Sequence, residues 1–301
     1  MIANTMSGIG FGLGTALCQS IFYLFTRHFV SRTGRTPLLL LLVSHLLMGA
    51  ISVLVLLALS PFHLPSLQTM AIPLICGAGF YLAAQFALFS LLRHVESSRV
   101  SPMLGSKVVV LALISVVFLH HTLLLPQWIA VAICSLSAWL LNDAGARLPL
   151  RSVALLALTV LGYCLSDMSI KELMNVLTTC GPTAPLIGTS LVYLLCALLV
   201  LPFAFRRELC DRRVWLLALP CAVAWFLAMC SLFACFDRIG VVFGNIAQAT
   251  RGIVSVGLGW IMAHIGHTHI ESHVSRRIFW RRIAGATLML LAVTLYVLSH
   301  G

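Results

Sequence analysis

The sequence predicts an all-α polytopic membrane protein of ten transmembrane helices, built as two inverted five-helix repeats, and three observations lead there. The 301 residues are 60% hydrophobic and only 9% charged, with a mean hydropathy of +1.05, so a water-soluble core could not hide their apolar surface. The apolar residues gather in runs of about 20, the length that crosses a bilayer as a helix. Polar residues of the second half also repeat the placement of those in the first at a single offset of 144 positions.

The first repeat, residues 1–143, reads as spans over 7–29, 38–59, 70–92, 100–119 and 126–142. A turn-rich linker follows at 144–151, and the second repeat, 152–301, reads as spans over 152–174, 184–205, 214–236, 241–263 and 281–299. Each is a helix because a segment alone in hydrocarbon must satisfy its own backbone groups, and the short alternating strands of a closed barrel are not seen in the sequence. Pro37, Pro126, Pro182 and Pro185 fall near span ends, where a missing N–H costs little. The opening MIANTMSGIGFG lacks a positive n-region and reads as a retained first span rather than a cleaved leader. Gly8, Gly10, Gly12 and Gly14, and the pair Gly240 and Gly244, read as surfaces for close helix approach. GIGFGLG is no phosphate loop, since it opens a span and follows no strand.

Five spans per half is an odd number, so the second half enters the membrane from the opposite side. Fourteen arginines, from Arg32 and Arg35 to Arg281 and Arg282, lie in or beside the odd-numbered loops, against only Lys171 and Arg238 on the other side. By the positive-inside rule both termini are outside and the odd loops are cytoplasmic, in a bacterial inner membrane. The net charge of +11 is therefore a topology signal; no basic face or tail points to nucleic acid. The ten cysteines are scattered without CxxC spacing and read as small hydrophobes.

Aligning the halves places Lys107 opposite Arg251, Ser106 opposite Thr250 and His120 opposite His264. A cation at a helix centre costs roughly 2.5–3.5 kcal/mol, so it faces a wet cavity, a carboxylate or an anionic substrate. Arg251 belongs to a stripe with Asn245, Gln248 and Ser255, spaced to share one helix face. The first helices of the two halves carry matched sets, Gln19–Tyr23–Arg27 and Tyr163–Asp167–Lys171, and the third span carries Tyr81 and Gln85, aligned with Trp225 and Met229. Of these, Lys107, Arg251, Gln248, Asn245, Ser255, Tyr23, Gln19, Tyr81, Gln85 and Tyr163 are the substrate-binding candidates, with interhelical packing as the alternative. Asp167, the one acid well inside a span, has two readings: proton coupling, or an i,i+4 ion pair with Lys171, the latter preferred. With no carboxylate near Lys107 or Arg251 on its own helix, their counter-charge is expected to be external.

His45, alone in the second span, reads as a hydrogen-bonded core residue. The loop with His264, His267, His269 and His273 lacks zinc-type spacing with a clear fourth ligand, so neither metal nor cofactor is expected. The eight acids form no metal cluster or acid/base pair, which argues against an enzyme.

The arrangement of five plus five helices, a basic residue closing the first helix of each half, and the stretch from Tyr81 through Leu141 resemble the drug/metabolite transporter superfamily and its EamA-type members. The clearest matches are ALFSLLRHVESSRVSPMLGSKVVVLALISVVFLHHTLLLPQWIAVAICSLSAWLL and the ending RRIAGATLMLLAVTLYVL. The chain departs where Lys107 and Arg251 replace a common proline, and where His120 and His121 replace a common glutamate. The resemblance implies a secondary transporter working by alternating access. Members similar to the sugar-phosphate and nucleotide-sugar exchangers hold negative groups with basic residues on helices 4 and 9, where Lys107 and Arg251 stand, which implies a small anionic or zwitterionic metabolite held between the repeats. The competing functions are a non-transporting membrane subunit and an exporter of a neutral or cationic amino acid or drug-like solute. The expected partners are a small-molecule substrate and the lipid bilayer.

Overall fold

The computed structural model describes residues 2–60, 63–92, 95, 104–117, 120, 122–141, 149–204 and 207–251, and isolated positions from 254 to 295. Its helices are α1 (Ile2–Thr33), α2 (Pro37–Leu59), α3 (Leu67–Leu91), α4 (Lys107–Val117), α5 (Leu125–Leu141), α6 (Leu150–Val176), α7 (Ala184–Val200), α8 (Arg212–Ile239) and α9 (Val241–Ala249). No strand occurs among the described residues. Five stretches among them are long and apolar enough to cross a membrane, one of which, Leu150–Phe203, runs through both α6 and α7.

The expected spans agree with these helices to within a few residues, except at the fourth. There α4 begins only at Lys107, after a 3-10 turn at Leu104–Ser106. The ninth span is described through α9 and Arg251, whereas the tenth, 281–299, and the histidine loop lie outside the described residues apart from isolated positions. The described residues therefore do not reach a count of ten helices.

Local chemistry sets several boundaries. Pro37 opens α2 with Thr36 extended before it. The Ser66 side chain accepts from the Thr69 N–H to start α3, and the Asp211 carboxylate accepts from the Arg213 N–H to start α8. Gly240, with φ of 77°, lets the chain leave α8 and enter α9 at once, a backbone region that side chains with a Cβ rarely adopt.

The halves are interleaved. Helix α1 packs on α8, α3 on α6 and α2 on α7. Gly8 lies against Ile239, Gly12 near Cys235 and Gly14 near Ser231, so α1 and α8 are antiparallel. Gly77 lies near Ile170 while Gly162 lies against Ala84, so α3 and α6 are antiparallel too. In lipid nothing hydrophobic drives helices together, and close approach through small residues supplies the attraction instead. A Cβ added at Gly12 would stand 2.5 Å from the Ala247 Cβ, and one added at Gly49 would overlap the Ala197 Cβ between α2 and α7. Gly10, by contrast, meets nothing. Large apolar side chains such as Leu54, Leu57, Ile72 and Ile75 are exposed, as a lipid-facing surface requires.

Helix direction also sorts the charges. Arg32 and Arg35 follow α1 to the end of the bundle where α8 begins with Arg212 and Arg213. The far end of α6 carries Lys171, whose ammonium donates to the Asp237 carbonyl near the end of α8, so Arg151 at the start of α6 joins the arginine-rich end.

Candidate substrate site

The two matched cations stand at helix breaks. Lys107 is the first residue after the 3-10 turn, not a mid-helix residue as the spacing predicts. Arg251 follows Thr250, which closes α9; the Thr250 hydroxyl donates to the Ala247 carbonyl at 2.7 Å, competing with the backbone ladder. The Val254 N–H then bonds the Thr250 carbonyl.

Around these breaks a polar cluster assembles from four helices. The Lys107 Nζ lies 2.6 Å from the Asp167 Oδ2. The Asn245 amide donates to the same oxygen at 2.7 Å and to the Val241 carbonyl at 2.9 Å. Lys107 also sits 5.3 Å from the Tyr163 ring centroid, a cation–π distance. The Arg251 Nη1 donates to the Gln19 Oε1 at 3.1 Å, and the Ser20 hydroxyl donates to the Arg251 carbonyl at 3.2 Å, which joins α1 to the cluster. Lys107, Asp167, Asn245 and Gln19 are buried, and Arg251 is half-buried.

Two expectations are corrected here. Asp167 does not pair with Lys171, one turn away on α6. Its partners are Lys107 and Asn245, while Lys171, half-buried, binds a carbonyl of the last turn of α8, which lacks an intrahelical partner. The counter-charge of Lys107 is consequently internal, supplied by Asp167. A buried ammonium in a low-dielectric setting gains more from a carboxylate at contact than a solvated lysine does. Lys107 and Asp167 cancel, and Arg251 leaves this trio with one net positive charge.

A second group adjoins it. The Gln85 amide donates to the Tyr81 hydroxyl at 2.7 Å, and the Tyr81 ring stands 6.4 Å from that of Tyr163 in the polar cluster. Tyr81, Gln85, Phe22, Ser44, His45 and Trp225 line a cavity of about 10 Å³, room for one water-sized molecule. The Trp225 indole N–H donates to the Tyr193 hydroxyl at 2.8 Å. Tyr23, half-buried, packs edge-on against Phe22. Gln248 is buried on α9, and Ser255 lies outside the described residues.

Sequence reasoning missed His45 as a cavity residue. The available signal was that it is the one ionisable side chain in an otherwise apolar α2. Tyr193, where rings from α2, α3 and α8 meet, carried no signal in its own spacing. Among the described residues no group of three or more His, Cys, Asp or Glu is placed to hold a metal, and the cysteines are free.

Interleaved apolar helices around a buried polar cluster define an integral membrane protein of the helical-bundle class. Residues 6–143 match the model of the EamA-like transporter family, which belongs to the drug/metabolite transporter superfamily. Members of that family are membrane transporters of the drug/metabolite type. A solved structure described as "Crystal structure of protein" is 16% identical, with a TM-score of 0.68, and covers 96% of this chain and 99% of that one; the likeness is one of fold. No curated protein matches.

Proposed function

We propose that the protein is a secondary transporter that moves a small anionic or zwitterionic solute by alternating access, held between two inverted repeats, residues 1–143 and 152–301. One observation carries the reading: Lys107 and Gln19 of the first half bind Asp167 and Arg251 of the second, with Asn245 holding Asp167, so the polar cluster spans the junction that an alternating carrier must rearrange. Inversion is supported by direction, since α1 and α3 are each antiparallel to their partners α8 and α6. It is supported as well by the turns that precede Lys107 and Arg251 at aligned positions.

In this reading Arg251, the cation in excess of the Lys107–Asp167 pair, receives the negative group of the solute. Asp167 is the coupling site. A proton on its carboxyl removes the negative member of the pair and releases the Lys107 ammonium to a second anion, and loss of that proton restores the pair. The arginine-rich end faces the cytoplasm of a bacterial inner membrane, which puts both termini outside.

A second reading, an exporter of a neutral or cationic amino acid or drug-like solute, is favoured by the internal neutralisation of Lys107 and by the uncharged lining of the aromatic cavity. Reconstitution in liposomes, with counterflow of carboxylate, phosphate, zwitterionic and cationic solutes, separates the readings. Flux of anions or zwitterions supports the first, flux of cations alone overturns it for the second, and no flux of any solute leaves a non-transporting membrane subunit.

A further inference from the structure

We infer that His45 is a hydrogen-bond acceptor for the carried solute, and that the cavity beside it takes an uncharged, planar end of that solute bearing an N–H or O–H. The inference rests on the transporter reading and adds the chemistry of one end of the substrate.

The argument begins with the tautomer. The His45 Nδ1 lies 2.7 Å from the Leu41 carbonyl oxygen, one turn back on α2. A carbonyl only accepts, so the proton sits on Nδ1, and in the neutral imidazole Nε2 presents a lone pair. With one edge of the ring turned back to its own helix, the His45 ring packs between Tyr81 and Tyr193, at centroid distances of 5.6 and 6.0 Å.

Nε2 is buried, and no protein group among the described residues bonds to it. Buried acceptors are ordinarily satisfied, so one left open beside a cavity points to a ligand donor. Three neighbouring donors are turned elsewhere: the Trp225 N–H to Tyr193, the Ser44 hydroxyl to the Leu41 carbonyl, and the Gln85 amide to Tyr81.

The lining selects the rest of the ligand. It holds no charged side chain, so neither an ammonium nor a carboxylate would find a counter-ion there. The rings of Phe22, Tyr81 and Trp225 offer flat apolar faces on which a planar group stacks. The described state is closed, with room for one water-sized molecule, and a solute enters when the surrounding helices stand further apart, as alternating access requires. Through the contact of Tyr81 with Tyr163 this cavity adjoins the Arg251 cluster, so one solute reaches both: its anionic end at Arg251 and its donor-bearing planar end at His45.

Phenol and anisole share a shape, and only phenol carries a donor. Calorimetric titration of the purified full chain should show phenol binding about tenfold tighter than anisole, the preference falling to near unity in His45→Leu while anisole affinity holds. Equal affinity for the two in the unsubstituted protein, a preference that survives in His45→Leu, or no binding of either overturns the site. Should the leucine variant fail to fold by its thermal melt, His45→Phe replaces it, and a ratio near unity in the unsubstituted protein still decides against the site. Liposome flux measured on the same preparations keeps the two ideas apart. A phenol preference in a protein that moves no solute supports the His45 site and sinks the transporter, whereas flux with a ratio near unity sinks the site alone.

Discussion

Lys107 on α4 and Asp167 on α6 form a buried ion pair of 2.6 Å across the junction of the two halves, sealed on one side by the Asn245 amide. Breaking a buried pair by removing one partner costs about 3–5 kcal/mol, because the remaining charge stays buried, while replacing both with apolar groups is often neutral. Lys107→Met and Asp167→Leu should each lower the melting temperature sharply in detergent, and the double variant should regain most of the loss. Simple addition of the two losses would show that the residues do not depend on each other.

Arg251 differs from Lys107 because its partner is the neutral Gln19 amide. Arg251→Gln should keep the fold and abolish binding of carboxylate or phosphate solutes. Arg251→Lys should bind them more weakly, since a point charge replaces a bidentate fork. Thermal-shift titration and liposome flux check this, and an Arg251→Gln variant with undiminished anion flux would dismiss the anion role.

The clustering of Arg32, Arg35, Arg151, Arg212 and Arg213 at one end of the bundle sets an expected orientation. Compartment reporters fused at Gly301 and inserted in the 206–213 loop should report opposite sides, with Gly301 outside. A cytoplasmic Gly301 reverses the orientation.

Gly49→Ala should destabilise the protein by about 1–3 kcal/mol, since the added methyl overlaps Ala197 at the α2–α7 contact. At Gly79, where an added Cβ meets nothing, the same change should be neutral or stabilising by up to about 1 kcal/mol. Parallel melts of the two variants test whether small residues set this contact; equal effects would remove it.

Much of the molecule was legible because lipid makes the code local. A run of about 20 apolar residues must be helical, and α1, α2, α3, α6 and α8 appear where such runs stand. The stripes were legible for the same reason: Gln19, Asn245, Tyr163 and Asp167 converge as their spacings of three and four suggest. The EamA-type resemblance carried by residues 81–141 falls inside the family match over 6–143.

Partner choice was a different matter. Along the chain Asp167 has Lys171 one turn away and Lys107 sixty residues off, and spacing alone selects the near one. The bundle reverses this, because packing α3 on α6 buries Asp167 in the middle of α6 beside Lys107, while Lys171 stays half-buried and reaches the end of α8. His45 follows the same logic: its place in α2 was readable, but whether its ring met a partner or an open cavity depended on Tyr81, Tyr193 and Trp225 arriving from three other helices. The sequence by itself determined which segments are helices and which side chains are too polar to face lipid, since both follow from the cost of leaving backbone or charge in hydrocarbon. Only the tertiary structure decided which of those side chains satisfy one another, because that depends on which helices touch.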